Sequence, residues 1–199
     1  RPVSEGLSMN AKTARSRRTL LAARRSGELV RVEMTYEKGW ASGVVLDVGA
    51  DLFALLRAEP EHYGGFDVAY IADIRSARAE PYRRFIERAL ALRGARRPRR
   101  PGAPLDSMEA LLRWLQHRED LVTIWRPRIK LDACWIGALL DVGAREMQML
   151  EINPDASWDR VPTTRRIAEI RRVQWGDGYA RSLRLVGGPP PELKRPSAR

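Results

Sequence analysis

The chain has 199 residues, of which 44% are hydrophobic and 31% are charged, a composition typical of a globular protein and not of a fully disordered chain. It contains one cysteine, Cys134, which excludes an intramolecular disulfide, and with only two histidines a zinc site of the usual ligand types is nearly excluded. No apolar run approaches the roughly 18 residues that cross a bilayer, so we expect no membrane partner and a reducing, cytoplasmic location.

The formal net charge of +11 is concentrated in three segments. Residues 1–25 carry +6, residues 93–104 carry +5 and residues 189–199 carry +2, so the remaining chain is nearly neutral. Stretches of this Arg- and Pro-rich composition bury little apolar surface, and their arginines can contact phosphates non-specifically. However, 32 of the 36 basic residues are arginine. A GC-rich genome would produce the same bias, so the excess is either functional or compositional.

An internal repeat organises the chain. The pentapeptide LDVGA occurs at Leu46–Ala50 and again at Leu140–Ala144, and each copy follows a Trp and a Gly. Related segments follow at Ile71–Arg75 and Ile167–Arg171. Since the matches keep the same order, with offsets of 92 to 96 residues, we infer a duplicated domain.

The repeats and the charge segments together predict five parts. These are a flexible basic leader at 1–15, a first domain at 16–92, an Arg/Pro-rich linker at 93–104, a second domain at 105–188 and a flexible tail at 189–199.

In the first domain a short helix is predicted at Ser16–Arg25, followed by five short strands. Alternating apolar residues and turn signals predict these strands at Leu29–Met34, Trp40–Asp47, Leu52–Arg57, Phe66–Ile71 and Ile74–Arg78. A second helix is expected at Pro81–Leu92, because Pro favours the first turn of a helix. The shared Asp-Val-Gly-Ala predicts a tight turn in both domains, with Gly49 and Gly143 at positive φ.

The second domain has the same predicted plan. Ser107 is expected to cap a helix whose apolar stripe is Leu111, Leu112 and Leu115. The five strands are predicted at Leu121–Trp125, Trp135–Asp141, Glu146–Glu151, Arg160–Ile167 and Ile170–Gln174. The segment Gly176-Asp-Gly178 is interpreted as a turn.

This order of elements, the entry pattern Leu-Leu…Val-x-Val and the hairpin pattern Gly-x-apolar-apolar-Asp-x-Gly-Ala resemble the Sm-like (LSm/Hfq-type) domain. The resemblance covers about residues 20–79 and 109–174. It implies a mainly β protein of two tandem Sm-like, SH3-like small barrels, each preceded by a short helix. It also implies that strand four of one domain pairs with strand five of a neighbour.

The nucleotide-contact signatures of Sm-like domains are altered. Where the family carries a base-contacting Asn after the turn Asp, this chain has Asp51 and Arg145. The basic-Gly pair that precedes strand five in the family is replaced by Ile-Ala-Asp-Ile and Ile-Ala-Glu-Ile. The resemblance therefore implies the fold and does not carry over the uridine pocket.

Two repeated pairs of residues have both structural and functional interpretations. Trp40 and Trp135 can stack on a base or pack inside the barrel, and packing is the more frequent role of such residues. Asp47 and Asp141 are expected mainly to accept hydrogen bonds from amides of the turn.

Catalytic residues are not indicated. His62 and His117 are expected to be exposed, and Cys134 is expected to be a buried strand residue. No nucleophile with a base and no pair of carboxylates can be named, so we predict that the protein is not an enzyme and uses no cofactor.

We predict a non-enzymatic RNA-binding protein that uses Arg-rich flexible segments and Sm-like barrels. The alternative is a protein-interaction or scaffolding module that binds partners through barrel edge strands and has no specific nucleic-acid role. Because one edge junction can form inside the chain, we expect a monomer or homodimer. The candidate nucleic-acid-binding residues are Arg17, Arg18, Arg24, Arg25, Arg96, Arg97, Arg99, Arg100, Arg165, Arg166, Arg171 and Arg172.

Overall fold

The computed structural model describes residues 3–131 and 133–192, which form a ten-stranded antiparallel sheet flanked by four α-helices. The first half contains α1 (Val3–Ser26), β1 (Leu29–Met34), β2 (Ala41–Val48), β3 (Leu52–Ala58), β4 (Tyr63–Tyr70), a 3₁₀ turn (Ile71–Asp73), β5 (Ile74–Ala79) and α2 (Arg83–Leu92). The second half contains α3 (Met108–Gln116), β6 (Val122–Trp125), β7 (Cys134–Val142), β8 (Glu146–Glu151), β9 (Thr163–Arg166), a 3₁₀ turn (Ile167–Glu169), β10 (Arg172–Trp175) and α4 (Gly178–Gly187).

The two halves of the sheet repeat one topology. The first five strands lie in the order β5-β1-β2-β3-β4, and the last five lie in the matching order β10-β6-β7-β8-β9. Gly43 pairs with Arg57, and Gly137, 94 positions later, pairs with Glu151. The register also shifts at equivalent places, just before Asp47 and just before Asp141. The duplication inferred from LDVGA is therefore visible in the strand pairing.

The mainly β class with flanking helices is confirmed, but two closed small barrels are not formed. Strand β4 lies at one side of the first half and pairs with β10 of the second half, so the two halves join into one open sheet. The junction pairs the fourth strand of one half with the fifth strand of the other. Strand β4 pairs with β3 on one side and with β10 on the other. The strands at the edges of the sheet are therefore β5 and β9.

Three helices follow from local signals. The Ser107 hydroxyl accepts a hydrogen bond from the Ala110 amide at 3.0 Å, as predicted, and caps α3. Helix α2 begins two residues after Pro81 and buries Ile86 and Leu90. Helix α1 is longer than expected, because it extends from Val3 and includes residues that were predicted as leader.

Helix α4 was not predicted. The segment that was interpreted as a turn instead starts this helix, because the Asp177 side chain accepts from the Ala180 amide at 2.8 Å. Ala180 and Leu183 then pack against Leu121 and Ile152. The tail from residue 193 onward lies outside the described residues.

The main hydrophobic core is shared by the two halves. It combines Leu56 and Val68 from the first half with Ile124 and Val173 from the second. Helix α3 contributes Leu111, Leu112 and Leu115 to the same core, all fully buried. A second core lies beneath α1, where Leu20 is fully buried. The halves therefore stabilise each other through buried apolar surface.

The turn glycines have a different role from the one predicted. Gly49 donates to Leu52 and Gly143 donates to Glu146, both at 2.8 Å, so tight turns form in both copies. Neither glycine has a positive φ. Gly49 is needed because a Cβ there would lie 2.5 Å from the Leu105 carbonyl oxygen. Leu105, the first residue after the linker, thus packs directly on the first LDVGA turn.

Candidate nucleic-acid interface

Arginines from helix α1 and from the linker converge on one surface pocket of about 540 Å³. Two of them, Arg24 and Arg25, are in the last turn of α1. The other two, Arg97 and Arg100, come from the linker. Pro98 of the linker and Val45 and Leu46 of β2 complete the lining. We call this site the basic pocket. It joins two of the three basic segments that the sequence singled out.

Two anchors hold the walls of the basic pocket. Helix α1 buries Leu20 and Ala23 against the sheet, and its Arg17 donates to the Ala50 carbonyl oxygen at 2.6 Å. The linker is followed directly by Leu105, which is buried in the main core beside Gly49. Both walls therefore lie against the first LDVGA turn.

Asp47 links the two walls. Its carboxylate accepts from the Val48 amide at 2.9 Å, which confirms the predicted bond to a turn amide. It also pairs with Arg24 at 3.2 Å and with Arg100 at 2.7 Å. These side chains are partly exposed, so the pairs stabilise the fold only weakly. Asp47 pairs with two of the four arginines that line the pocket, so the pocket keeps an excess of positive charge.

Several arginines around this pocket are not neutralised. Arg25 and Arg97 form no ion pair with any described residue. The same holds, within the described part of the chain, for three further exposed candidates: Arg18, Arg96 and Arg99. Such guanidinium groups are free to make bidentate contacts with phosphate.

The arginines of the second half are placed differently. Arg172 is 3% exposed and donates to Asp67. Arg171 pairs with Asp73 at 2.7 Å, and Arg165 pairs with Glu151. These three guanidinium groups are neutralised by carboxylates and do not form a common basic surface. Of the four candidates here, only Arg166 is exposed.

The repeated tryptophans differ in environment. Trp135 packs against the main core, which confirms the packing interpretation. For Trp40 that interpretation is wrong, because 55% of its surface is exposed. The register explains the difference, since Trp135 occupies the position of Ala41 and Trp40 lies one residue earlier, on the opposite face.

His62 and His117 are exposed, as predicted, whereas the prediction of a buried Cys134 is wrong. Sequence reasoning also missed the surroundings of Trp40. Tyr82 and Phe85 are both exposed beside Trp40. An aromatic residue just before α2 and another in its first turn were the available signals.

Within residues 3–131 and 133–192, no group of three or more His, Cys, Asp or Glu side chains is arranged to hold a metal ion. None of the helices in these ranges is long and apolar enough to cross a membrane. Comparison of the chain with protein-family models, curated proteins and solved structures found no match in any of the three. Function is therefore inferred from the residues themselves.

Proposed function

We propose that this protein is a non-enzymatic RNA-binding protein that holds the phosphate backbone of single-stranded RNA in the basic pocket. The observation that carries the proposal is the convergence of Arg24 and Arg25 with Arg97 and Arg100 on one pocket. These arginines belong to segments that are far apart in the chain, and α1 and the linker bring them together.

The chemistry of the pocket suits a polyanion. Guanidinium groups make planar, paired hydrogen bonds with phosphate oxygens and keep their charge at any physiological pH. Each phosphate that is neutralised releases counterions, which provides a binding free energy independent of base sequence. Asp47, beside the pocket, is already engaged by two arginines.

The Sm-like relationship is part of the proposal and rests on the sequence pattern. Since Asp51 and Arg145 replace the family's base-contacting Asn, we assign RNA contact to arginine–phosphate pairs instead of a uridine pocket. The two repeats would then serve mainly to position α1 and the linker.

The test is the salt dependence of RNA binding, measured by fluorescence anisotropy with a labelled single strand of about 20 nucleotides. The variant Arg25→Ser/Arg97→Ser/Arg100→Ser leaves Arg24 to pair with Asp47. We expect weaker binding, with a log–log salt slope reduced by about 0.7 for each lost contact, up to about 2 in total.

The matched control is Arg128→Ser/Arg160→Ser/Arg181→Ser, which removes the same charge from exposed positions outside the pocket. If both variants weaken binding equally, the effect is one of net charge and the pocket has no specific role. If the wild-type protein does not bind RNA at low salt, the proposed function is wrong.

A protein-interaction module is the second candidate, favoured by the open edges β5 and β9. An unpaired edge can accept a strand from a partner. However, β9 has only four residues, and both edges carry arginines, including Arg78 and Arg166, which discourage strand addition. Purification at low salt discriminates the two candidates, because only the first predicts co-purifying nucleic acid.

A further inference from the structure

Three exposed aromatic side chains cluster at the start of β2 and α2. Trp40, Tyr82 and Phe85 are 55%, 64% and 61% exposed, and they line a surface pocket of about 500 Å³. We call this cluster the aromatic platform. A contiguous patch of large exposed aromatic groups is unusual on a protein surface and marks a binding surface more often than chance.

A buried cation holds two of the rings in place. The guanidinium carbon of Arg31 lies 4.2 Å from the centroid of the Trp40 ring and 5.5 Å from that of Tyr82. Arg31 is itself buried and donates twice to Glu80, at 3.0 and 2.8 Å. The guanidinium contacts the rings from within, and more than half of the surface of Trp40 and Tyr82 is open to solvent.

Glu80 completes the support of the platform. Its carboxylate accepts from the Tyr82 amide at 3.0 Å and from the Ser42 hydroxyl. The strand that carries Arg31 and the loop that carries Tyr82 are thereby tied together. Little side-chain entropy remains to be lost when a ligand stacks on these rings, which favours binding.

The platform and the basic pocket lie at opposite ends of β2. Trp40 directly precedes β2, whereas Leu46, near the end of β2, lines the basic pocket. Helix α2 lies over β2, since Ile86 and Leu90 pack on Val44. It leads from the platform into the linker, and its 10 residues span about 15 Å. Arg84 and Arg88 are exposed on this helix.

We propose that the aromatic platform stacks unpaired bases of the same RNA strand whose phosphates occupy the basic pocket, an inference that rests on the proposed function. A strand leaving the basic pocket along α2 would pass Arg88 and Arg84 before its bases reach Tyr82 and Trp40. Every base has a flat π face, so the platform accepts single-stranded RNA with little sequence preference.

The test compares Trp40→Ala and Tyr82→Ala with the wild-type protein on an oligouridylate single strand. Each variant is expected to bind about 5- to 150-fold more weakly, as stacking losses usually do, with an unchanged salt slope because no phosphate contact is removed. Trp40→Phe should keep most of the affinity. The matched control is Tyr179→Ala, which removes an aromatic ring of similar exposure from α4.

A polyanion without bases separates stacking from charge. Inorganic polyphosphate should bind the wild-type protein and Trp40→Ala equally, and equal losses on both ligands would overturn the proposal. If RNA binds with the expected slope but neither alanine variant weakens it, the platform proposal fails while the proposed function stands. If the wild-type protein binds no RNA, the proposed function itself fails. Because Tyr82 is more exposed than Trp40, Tyr82→Ala still tests the platform should Trp40→Ala disturb folding.

A protein ligand is the competing occupant. A synthetic proline-rich peptide is the appropriate probe, since aromatic grooves also bind such segments. If this peptide binds the wild-type protein but not Trp40→Ala, and RNA affinity is the same for both, the platform is a protein site and the proposal is overturned.

Discussion

Arg172 in β10 and Asp67 in β4 form a bidentate ion pair that joins the two halves of the protein, with N–O distances of 2.6 to 3.0 Å. Both side chains are buried. Arg172 also donates to Glu37 at 2.7 Å and lies 4.5 Å from the Trp125 ring centroid. Removing either partner would leave an uncompensated buried charge at the junction of β4 and β10, which is strongly destabilising.

Replacing Asp67 by Asn is expected to destabilise the protein by about 3–5 kcal/mol, because Arg172 would be left buried with an incomplete partner. The measurement is urea unfolding followed by circular dichroism. Asp120→Asn, which breaks the exposed pair between Asp120 and Arg184, should cost less than about 1 kcal/mol. Equal effects of the two substitutions would contradict a buried junction.

Gly43 and Gly137 occupy equivalent positions in the two halves, so the same prediction applies to both. A Cβ at Gly43 would collide with the Leu56 carbonyl oxygen, and one at Gly137 would collide with that of Leu150. Each change to Ala is therefore expected to destabilise the fold by about 1–3 kcal/mol. Gly178→Ala, where no atom lies within 4 Å of the added Cβ, should be neutral or slightly stabilising. Unchanged thermal unfolding of both strand variants would refute the strand pairing described above.

Glu80 makes stability depend on pH. Burial by itself would raise the pKa of Glu80, but hydrogen bonds from Arg31, Ser42 and the Tyr82 amide outweigh it, so the pKa lies below its usual value of 4.5. Ionised Glu80 therefore stabilises the fold fully above pH 4.5, and this stabilisation is lost as the pH falls through the lowered pKa.

Accordingly, Glu80→Gln should lower the free energy of unfolding at pH 7 by about 3 kcal/mol. The difference in unfolding free energy between this variant and the wild-type protein should become smaller at acidic pH. Urea unfolding at neutral and acidic pH measures both effects. The control is Glu61→Gln, at an exposed residue that forms no ion pair within the described part of the chain. If the difference in unfolding free energy stays constant down to strongly acidic pH, the charge of Glu80 does not contribute to stability.

The free edges of the sheet do not repeat the chemistry of the internal junction. The register places Thr163 of β9 at the position of Asp67, and Ser76 of β5 at the position of Arg172. A junction between two copies of the chain would therefore lack the buried ion pair. It would also bring Arg166 towards Arg75. The equivalent residues of the internal junction are Tyr70 and Arg171, and there the Arg171 guanidinium lies 3.8 Å from the centroid of the Tyr70 ring.

We consequently expect a monomer or homodimer and not a ring of three chains. Light scattering at several concentrations should give a mass near 22.6 kDa or twice that value. A mass of three times the monomer that survives dilution would contradict this expectation, and it would imply that β5 and β9 pair between copies.

Most of the secondary structure could be predicted because its signals are local. All ten strands were expected, and most of their ends agree to within two residues, as for β1 at Leu29–Met34 and β8 at Glu146–Glu151. Helix α4 was missed because Gly176-Asp-Gly178 has the composition of a turn. Its Asp becomes a helix cap only where Ala180 and Leu183 find an apolar surface to pack on.

The candidate site was predicted in part. The sequence singled out the arginines of α1 and the linker by their charge, but it gave Arg171 and Arg172 the same role. Their neutralisation depends on Asp73 and Asp67, about 100 residues away in the chain. The exposure of Trp40 likewise depended on a strand register that LDVGA alone did not determine.

By itself, the sequence determined the order of the ten strands and of the first three helices, the duplication and the location of the basic segments. These follow from hydrophobic period, turn residues and charge, which act over a few neighbouring positions. Only the tertiary structure decided that β4 pairs with β10 in one open sheet, that Asp47 joins α1 to the linker, and which arginines remain free. Each of these depends on contacts between residues far apart in the chain, whose geometry is settled when the shared core and the buried ion pairs form together.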